Sequence, residues 1–541
     1  MQNHTVDVAI IGGGHNGLVA AAYLAKAGKS VVVLEQHDVL GGAAISARAF
    51  DGIDAKLSRY SYLVSLLPKR IIDDLGLDVV TAPRRYGSFT PAPDGKAGLL
   101  IDEIDAEATA RSFESIGAGG DFDAWNAFYA KTETIAQLLF PTVLEPLKTE
   151  SEVRQLLGPD LWSEFFERPI GETIADSFES DLVRGVVMTD ALIGTFASNH
   201  DAELDANKCF LYHVIGNENG EWNIPVGGMG SVSGSMAARA REFGAELKSG
   251  CEVVSIGDID GGTATESPTR TIAYRHDGDT QSLSARFVLA NVARPVLESL
   301  RGRSSAHSIE GAQVKVNMLL KRLPKLKSET DPVAAFGGTF HINEGFEQLQ
   351  TAFELSGRGE IPNPLPCEIY CHSITDPTIL GETLRGSGAQ TLTVFALQTP
   401  HSLLRAKDND VMRQKLEDAV VDSINSVLSE DIRDLMLVDA NGKPCIETKT
   451  TLDLENALGL PGGNIFHAPL SWPFVTDDAP LSTPAERWGV DAGEPGIFFC
   501  GSTARRGGAV SGIGGHNAAM AVLESESSVN SRGVGNQHKH P

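Results

Sequence analysis

The chain has 541 residues, of which 42% are hydrophobic and 21% are charged. This composition is typical of soluble globular proteins and excludes a chain that is disordered throughout. One hydrophobic core rarely supports more than about 250–300 residues, so a single small module is also excluded. The 45 basic and 71 acidic residues give a net charge of −26, which repels phosphate polymers and argues against a nucleic-acid partner.

Neither the cysteines nor the apolar segments indicate export. The six cysteines form no Cys-x-x-Cys pair and are too few for a disulfide framework in a chain of this length. Residues 1–7 lack the pattern of a secretory signal, and no apolar run reaches the roughly 20 residues that cross a bilayer. We therefore expect a cytoplasmic or other reducing intracellular location without a transmembrane segment. The histidines show no metal-ligand spacing, so no metal site is predicted.

The beginning of the chain has the pattern strand, turn, helix, strand. Residues 6–11 are β-branched and almost uncharged, which predicts a short buried strand. Three glycines follow at 12–14, and residues 16–27 carry the apolar stripe of a helix that ends at Gly28. Residues 30–35 predict a second buried strand. This order is typical of the opening of a parallel α/β sheet.

Later segments alternate between helical and strand patterns. Residues 102–215 are mostly helical, and a glycine turn at 227–230 precedes another helix. That helix is expected to end near residue 243, the last helix near residue 524, and residues 355–368 are expected to form a loop. Further strands are predicted at 252–256, 287–291, 314–320, 392–397 and 497–500.

Residues 314–320 alternate in polarity. Apolar side chains fall on one face of the predicted strand, whereas Lys315 and Asn317 fall on the other. This alternation predicts a half-buried strand, with residues 392–397 as a neighbouring partner.

Gly12, Gly14 and Gly17 match the dinucleotide-binding fingerprint, and they follow a predicted strand and open a helix. The first glycine permits the tight turn, the second a close approach of backbone to pyrophosphate, and the third close helix–strand packing. The helix N-terminus offers free N–H groups to the phosphates. Glu35, 18 residues beyond Gly17, can accept hydrogen bonds from ribose hydroxyls and disfavours a 2′-phosphate. The fingerprint leaves open whether NAD or FAD binds.

The glycine-rich segments at both ends resemble one family. The residues Gly-Gly-Gly-His-Asn-Gly at 12–17, together with Glu35 and the pair Gly41-Gly42, resemble the start of the phytoene desaturase-like FAD oxidoreductases, which are related to the flavin amine oxidases. Residues 222–230 resemble the family's Gly-Gly-Met-Gly turn, and residues 497–519 resemble its C-terminal flavin motif. His15-Asn16 and residues 368–376 are similar to the subgroup of pyridine nucleotide-disulfide oxidoreductase domain-containing proteins.

The resemblance implies an α/β fold with a discontinuous Rossmann-type FAD-binding domain and a mixed-sheet and helical substrate domain. The FAD-binding domain would take residues 1–64, 226–300 and 490–525. The substrate domain would take residues 65–225 and 301–489, and residues 526–541 would be a disordered tail. The resemblance further implies non-covalent FAD, held by Gly12, Gly14, His15, Asn16, Gly17, Glu35, Gly41, Gly42, Val254, Gly501, Ser502, Gly512 and Ile513.

The glycine-rich residues 501–515 predict bare backbone against which a flat ring can lie. We expect a helix that begins near His516 to direct its N-terminus at that ring, where a positive helix end stabilises negative charge. Four residues stay open as candidates for chemistry beyond the flavin, with an ordinary structural role as the alternative for each: His213, His372, His516 and Arg506.

The resemblance implies a desaturase- or dehydrogenase-type oxidoreductase that transfers hydride between an apolar, isoprenoid- or lipid-like substrate and flavin N5. A flavin amine oxidase stays open, although the acidic residue that many amine oxidases carry after the late strand is absent from residues 501–504. A low-turnover flavin-bearing interaction or regulatory protein stays open as well. The direction of the reaction, the electron acceptor (oxygen or a quinone), peripheral membrane contact and homo-oligomerisation are undecided.

Overall fold

The computed structural model describes residues 4–261, 268–304 and 309–534. Its strands form two large sheets and two short two-stranded ribbons. In chain order the strands are β1 (His4–Ile11), β2 (Val31–Leu34), β3 (Ser46–Ala47), β4 (Leu57–Ser58), β5 (Thr81–Ala82), β6 (Tyr86–Pro91), β7 (Gly98–Asp102), β8 (Ile224–Pro225), β9 (Glu246–Lys248), β10 (Glu252–Asp260), β11 (Thr269–His276), β12 (Asp279–Ala290), β13 (Val314–Leu320), β14 (Thr339–Ile342), β15 (Cys367–Tyr370), β16 (Gln390–Ala396), β17 (Ile446–Lys449), β18 (Asp491–Glu494) and β19 (Ile497–Phe499).

Helices cover both sheets and fill most of the stretch between residues 106 and 214. In chain order they are α1 (His15–Lys26), α2 (Lys69–Leu75), α3 (Ala106–Ser115), α4 (Asp121–Leu139), α5 (Glu150–Leu157), α6 (Pro159–Trp162), α7 (Ile170–Ser177), α8 (Asp181–Thr189), α9 (Asp205–Val214), α10 (Met229–Glu242), α11 (Arg294–Leu300), α12 (Pro332–Phe336), α13 (Phe346–Gly357), α14 (His372–Thr375), α15 (Glu382–Ser387), α16 (Asn409–Val427), α17 (Ile432–Leu435), α18 (Thr451–Leu458), α19 (Pro484–Arg487) and α20 (Ile513–Val534).

The first sheet has the strand order β10-β11-β12-β1-β2-β9, with β19 also paired to β12 and β18 paired to β19. Strands β1, β2, β12 and β19 run parallel to their neighbours in this group. Parallel strands end at a common edge of a sheet, and ligands bind outside that edge. The turns that follow β1, β2, β12 and β19 are therefore brought together although they come from distant parts of the chain.

Helix α1 packs between the first sheet and its neighbouring helices α10 and α20. The contact with α20 is very close, because a Cβ atom on Gly515 would stand only 2.0 Å from the carbonyl oxygen of Asn16. The glycines near the C-terminus thus serve helix packing as well as the site described below.

The second sheet has the order β17-β13-β16-β15-β14-β6-β7 and is mixed, since β14 and β6 are parallel and the other neighbours antiparallel. One of its faces packs on a hydrophobic core that includes buried residues of α16. The prediction that β16 pairs with β13 is confirmed.

The prediction of a half-buried strand at 314–320 is wrong, because every residue of β13 is buried. The polar face of the strand is covered by the chain segment around β4. The ammonium group of Lys315 donates hydrogen bonds to the carbonyl oxygens of Ser58 (2.9 Å) and Ser61 (3.1 Å). Polar alternation along a strand therefore marks two different faces here, and both of them are inside the protein.

Two other predicted boundaries differ from the structure. Residues 355–368, expected as a loop, contain the end of α13 and the beginning of β15. Helix α20 runs to Val534, so the prediction of a disordered tail is wrong for residues 526–534. Ion pairs from Glu526 to Lys29 and Arg286 hold this part of the helix on the first sheet. Residues 535–541 lie outside the described residues.

The sequence-based domain boundaries stay a prediction. The first sheet takes its strands from residues 4–34, 246–290 and 491–499, and the second takes them from residues 86–102 and 314–449. In the part of the chain that the structure describes, no helix combines the length and the apolarity needed to cross a bilayer.

Candidate cofactor and substrate site

A cavity of about 280 Å³ lies at the carboxyl ends of β1, β2 and β12. This volume is near the lower end of the range for small-molecule sites. The part of the wall closest to the first sheet is formed by Ile11, Gly12, Gly14, His15, Asn16, Leu34, Glu35, Gln36, His37, Gly42, Cys251, Val253 and Asn291.

The turn after β1 exposes backbone to the cavity. Gly12 has φ +96°, in the left-handed region, and a Cβ atom there would stand 2.8 Å from the carbonyl oxygen of Asn291. Gly41 donates its N–H to the carbonyl oxygen of Gly13 at 2.8 Å, so the second glycine pair runs beside the first turn. Asn291, which directly follows β12, donates its side-chain amide to the carbonyl oxygen of Gly12 at 2.9 Å. The turn is thereby fixed from two sides.

Glu35 follows β2 and is buried in the cavity wall. One carboxylate oxygen accepts the N–H of Gly13 at 2.7 Å, and the other accepts the N–H of His37 at 2.9 Å. A carboxylate offers about four lone-pair positions, so Glu35 can accept two further hydrogen bonds. The vicinal hydroxyls of a ribose are suitable donors for them.

The C-terminal glycine-rich loop reaches the same cavity through Ser502, Gly508, Ala509 and Val510. His15, the first residue of α1, lines this cavity together with Ala509 of that loop. The turns at the two ends of the chain therefore meet around one space.

The predicted cofactor residues separate into two groups. Gly12, Gly14, His15, Asn16, Glu35, Gly42 and Ser502 line the cavity. The remaining six are absent from the described wall: Gly17, Gly41, Val254, Gly501, Gly512 and Ile513.

The second group acts through packing or faces elsewhere. A Cβ atom on Gly17 would stand 2.5 Å from the carbonyl oxygen of Gly12, so this glycine lets helix and turn approach. On β10 the cavity residue is Val253 and not Val254, because neighbouring side chains of a strand point to opposite faces. Cofactor contact by the residues of the first group stays a prediction.

Of the four candidates for chemistry, only His213 lines this cavity. Its Nδ1 donates to the carbonyl oxygen of Cys209 at 3.0 Å, and burial lowers its pKa to about 4. His213 is therefore neutral at pH 7 with an unprotonated Nε2 that can accept a hydrogen bond.

The other three candidates are not in the described wall. Arg506 is buried and donates to the carbonyl oxygens of Thr142, Glu145 and Trp488 at 3.1, 2.6 and 3.0 Å, so it joins backbone segments. His372 lines a separate cavity of about 10 Å³.

His516 contacts the rings of Tyr23 and Trp488, with centroids 5.0 and 6.0 Å away. Helix α20 begins at Ile513 and not near His516, as the sequence suggested. The N–H of Ile513 is already bonded to the hydroxyl of Ser511 at 3.2 Å. His516 is thus neither the first residue of α20 nor a residue of the described cavity wall. It gives no support to the prediction that the N-terminus of this helix is directed at a ring in the cavity.

Much of the remaining cavity wall is aromatic and aliphatic. The ring of Trp222 lies parallel to Tyr62, 6.2 Å between centroids, and stacks on His213 at 5.2 Å. Glu35 is the one carboxylate among the described lining residues, and it is bonded to the glycine turn. The remaining apolar side chains here are Leu66, Ile193, Tyr212, Leu454, Leu458, Leu460, Ile465, Phe466 and Leu470.

Sequence reasoning did not single out Tyr62 or Asn291. Asn291 was detectable, because it is the polar residue that ends a predicted buried strand, and the carboxyl ends of parallel strands are where such sheets bind ligands. Tyr62 has no sequence signal, because its place depends on the second sheet.

The residues present fit a dinucleotide with a flat ring. Glycine backbone lines one end of the wall, and Glu35 has lone pairs to spare. Two buried imidazole nitrogens in the wall, Nε2 of His15 and Nδ1 of His467, have no hydrogen-bond partner within the described chain. An unbonded buried polar atom is costly, so such atoms indicate a place for ligand atoms. Within residues 4–261, 268–304 and 309–534, no group of three or more His, Cys, Asp or Glu side chains is arranged to hold a metal ion.

Comparisons with known proteins agree with this geometry. Residues 10–69 match the NAD(P)-binding Rossmann-like domain. The chain is 50% identical over 530 residues to "Uncharacterized protein Rv0897c" of Mycobacterium tuberculosis, a match that covers 96% of this chain and 97% of that one. It is 29% identical over 578 residues to the pyridine nucleotide-disulfide oxidoreductase domain-containing protein 2 of Rattus norvegicus, covering 96% and 93% of the two chains.

A shorter match and a structural match extend this comparison. Over 95 residues, 17% of this chain and 16% of the relative, it is 41% identical to a limonene dehydrogenase subunit of Castellaniella defragrans. The fold resembles that of a putrescine oxidase with a TM-score of 0.52 and 15% identity, covering 98% of this chain and 99% of that chain. This last likeness shows a common fold.

Proposed function

We propose that this chain, which belongs to the same family as the mycobacterial protein Rv0897c, catalyses an FAD-dependent redox reaction on an apolar small molecule. Its similarity to the pyridine nucleotide-disulfide oxidoreductase domain-containing protein and the fold that it shares with putrescine oxidase support a flavin-type oxidoreductase. The reaction is the removal or addition of two hydrogens at a carbon–carbon bond.

One observation carries the proposal. A single cavity is lined by a dinucleotide-type glycine turn, a ribose-type carboxylate and an otherwise largely apolar and aromatic wall. Pockets for small apolar ligands have such walls with few polar groups. An amine cation would find no carboxylate in the described apolar part of the wall, which favours an uncharged substrate over an amine.

The residues that would hold FAD are the Gly12–Gly14 turn, His15, Glu35 and the loop of Gly508, Ala509 and Val510. Bound flavin supplies hydride exchange with a carbon of the substrate, and the protein supplies position and environment. Aromatic rings and leucines make much of the cavity wall apolar, and a water-poor site favours such chemistry. The neutral imidazole of His213 stacks on Trp222 and is the polar side chain best placed to orient a substrate there.

The short match to the limonene dehydrogenase chain supports an apolar substrate, since limonene is a hydrocarbon. That match covers 17% of this chain, so the apolar wall of the cavity is the stronger support.

Flavin binding is tested with two glycine substitutions. The wild-type protein is expected to purify yellow or to bind added FAD with one equivalent per chain. In Gly14→Val the new side chain fills the space beside Asn291, because even a Cβ atom on residue 14 would stand 3.1 Å from the side-chain nitrogen of Asn291. This variant is expected to be folded and colourless. Gly234→Ala is the matched control, because its Cβ meets nothing within 4 Å. A fully loaded Gly14→Val protein would contradict the site.

The substrate class is tested by anaerobic bleaching of the bound flavin. We expect terpenoid or lipid fractions to change the flavin spectrum and simple amines to leave it unchanged. Bleaching by amines alone would instead support an amine oxidase. A spectrum that no metabolite fraction changes, together with one stoichiometric protein partner, would support the low-turnover interaction protein.

A further inference from the structure

The imidazole of His213 is held in place by two neighbouring residues. Its Nδ1 donates to the carbonyl oxygen of Cys209, one helical turn earlier on α9, at 3.0 Å. The thiol of Cys209 donates elsewhere, to the carbonyl oxygen of Ile193 at 3.2 Å. The ring stacks on that of Trp222, and the indole N–H of Trp222 donates to the carbonyl oxygen of His213 at 2.9 Å. The orientation of the imidazole is therefore fixed by the protein itself.

The other ring nitrogen of His213, Nε2, is left for a ligand. It has no hydrogen-bond partner in the described chain, although the residue as a whole is buried. Unlike Nε2 of His15 and Nδ1 of His467, this atom is not sealed from solvent, so its free surface faces the cavity that His213 lines. Because Nδ1 carries the proton, Nε2 presents a lone pair and can only accept a hydrogen bond.

Three other polar side chains of the cavity wall use their donors within the protein. The hydroxyl groups of Ser61 and Tyr212 donate to backbone carbonyl oxygens at 2.9 and 3.0 Å. The indole N–H of Trp222 is bonded to His213, as described above. These donors are unavailable to a ligand, whereas the lone pair of His213 is available. A ligand group beside His213 is therefore favoured when it donates a hydrogen bond.

The surroundings of His213 connect it to the second sheet. Its neighbour Trp222 lies parallel to Tyr62, and the ring of Tyr62 contacts that of Phe395 on β16 with 4.7 Å between centroids. Glu35, by contrast, follows β2 of the first sheet and is bonded to the glycine turn. Nε2 of His213 and the ribose-type carboxylate thus belong to parts of the wall that different sheets support. This arrangement favours the substrate over the dinucleotide as the partner of Nε2.

We propose that His213 is a specificity-determining residue, which selects an apolar substrate that carries a hydroxyl group. This inference rests on the proposed function. The substrate hydroxyl donates to Nε2, while the apolar wall contacts the carbon skeleton. The bond orients the substrate and transfers neither a proton nor an electron. A buried oxygen that cannot donate would face the lone pair of Nε2 without a bond, so the cavity should reject an analogue that lacks the hydroxyl hydrogen.

The inference is tested with geraniol and geranyl methyl ether, which share one carbon skeleton and differ in the hydrogen on oxygen. Their affinities for the FAD-loaded protein are measured anaerobically from the concentration dependence of the change in the flavin spectrum. We expect the wild type to bind geraniol about 10- to 100-fold more tightly than the ether. His213→Phe keeps a ring against Trp222 but has no acceptor, and its preference for geraniol should fall below about 3-fold.

Two further variants separate recognition from a structural effect. His213→Gln offers a side-chain carbonyl oxygen as the acceptor and is expected to recover part of the preference for geraniol. His516→Phe is the matched control, because this buried histidine packs on the rings of Tyr23 and Trp488 outside the described cavity wall. It should keep the wild-type preference.

Three results would overturn the inference. The first is a wild type that binds geraniol no better than the ether, which includes binding of neither. The second is an unchanged preference in His213→Phe. The third is a loss of FAD affinity in His213→Phe, because Nε2 would then serve the cofactor.

Failure of this inference differs from failure of the proposed function. A wild-type protein that binds no FAD would contradict both. An FAD-loaded wild type without a preference for geraniol would overturn the role of His213 alone and leave the proposed function standing.

Discussion

The ammonium group of Lys315 is bonded to the carbonyl oxygen of Ser58, 2.9 Å away, across the gap between the second sheet and the cavity wall. It also donates to Ser61 at 3.1 Å and lies 4.9 Å from the centre of the Phe395 ring. No carboxylate bonds to it among the described residues. Lys315 therefore fixes the backbone on either side of Tyr60, immediately before the cavity residue Tyr62.

Replacing Lys315 is expected to loosen this segment. In Lys315→Met two buried carbonyl groups lose their donor, at about 1–3 kcal/mol each, partly offset because a buried charge is no longer desolvated. We expect the free energy of unfolding to fall by about 2 kcal/mol in urea titrations. Lys321→Met is the control, because Lys321 also donates to a carbonyl oxygen, that of Asp434, but is exposed. Equal effects of the two variants would show that the buried contact has no special weight.

The stability of the protein should depend on pH through Glu368. Burial raises its pKa to about 8 in the folded chain, whereas an unfolded glutamate has a pKa of about 4.3. The folded state therefore holds a proton that the unfolded state releases between these values. The stabilisation is complete below about pH 4.3 and is lost as the pH rises towards 8, with a slope of at most about 1.4 kcal/mol per pH unit.

Glu368→Gln removes this proton exchange. Measured by urea unfolding from pH 5 to 8, the wild type should lose stability relative to Glu368→Gln as the pH rises. A constant difference between the two proteins over this range would show that Glu368 ionises normally in the fold.

Glu35 should matter for both the turn and the cofactor. Its carboxylate accepts the N–H groups of Gly13 and His37, and hydrogen bonds to a charged group contribute about 1.5–3 kcal/mol. We expect Glu35→Ala to weaken FAD binding by about 10- to 100-fold, measured by quenching of flavin fluorescence. Glu252→Ala changes an exposed carboxylate of β10 that is ion-paired with Arg275 of β11, and this variant should bind FAD as the wild type does. Unchanged affinity in Glu35→Ala would contradict the prediction that Glu35 binds the ribose of FAD.

Replacing His467 should have opposite effects on the stability of the protein and on its binding of FAD. It lines the cavity with φ +65°, a left-handed conformation that costs a residue other than glycine about 1–2 kcal/mol. We expect His467→Gly to keep or raise the melting temperature and to weaken FAD binding, since strain is tolerated where a side chain serves a site. Asp277→Gly removes similar strain (φ +51°) in an exposed turn and should leave FAD binding unchanged. Lower stability with unchanged binding in His467→Gly would assign His467 a purely structural role.

Local patterns were sufficient for the dinucleotide end. The fingerprint Gly12-x-Gly14-x-x-Gly17, the uncharged strands around it and Glu35 lie within a short stretch of chain, where strand, turn and helix follow from neighbouring residues. Strand β19 was also predicted as a buried strand, and the loop after it does reach the cavity. The individual positions in that loop were less well predicted, because Gly512 and Ile513 lie outside the wall and Ala509 and Val510 lie in it.

The chemistry beyond the cofactor could not be predicted in this way. Three of the four candidate residues, His372, His516 and Arg506, are not in the described cavity wall, because a histidine or arginine bonded to backbone or packed on rings has the same sequence signal as one in a site. Lys315 and Asn317 illustrate the same difficulty. Their alternation with apolar residues suggested a face in water, but the segment that covers them comes from residues 57–63, more than 250 positions earlier in the chain.

The sequence by itself determined the Rossmann-type start, the resemblance to flavin oxidoreductases and the glycine turn at the edge of the sheet, because these depend on hydrophobic periodicity and on glycines at fixed spacing. Only the tertiary structure decided that both ends of the chain share one cavity, that much of its wall is apolar, and that the ring of Tyr62 in this wall contacts the buried Tyr370. Such contacts join residues hundreds of positions apart, and they arise from the packing of two sheets whose buried faces no local pattern distinguishes.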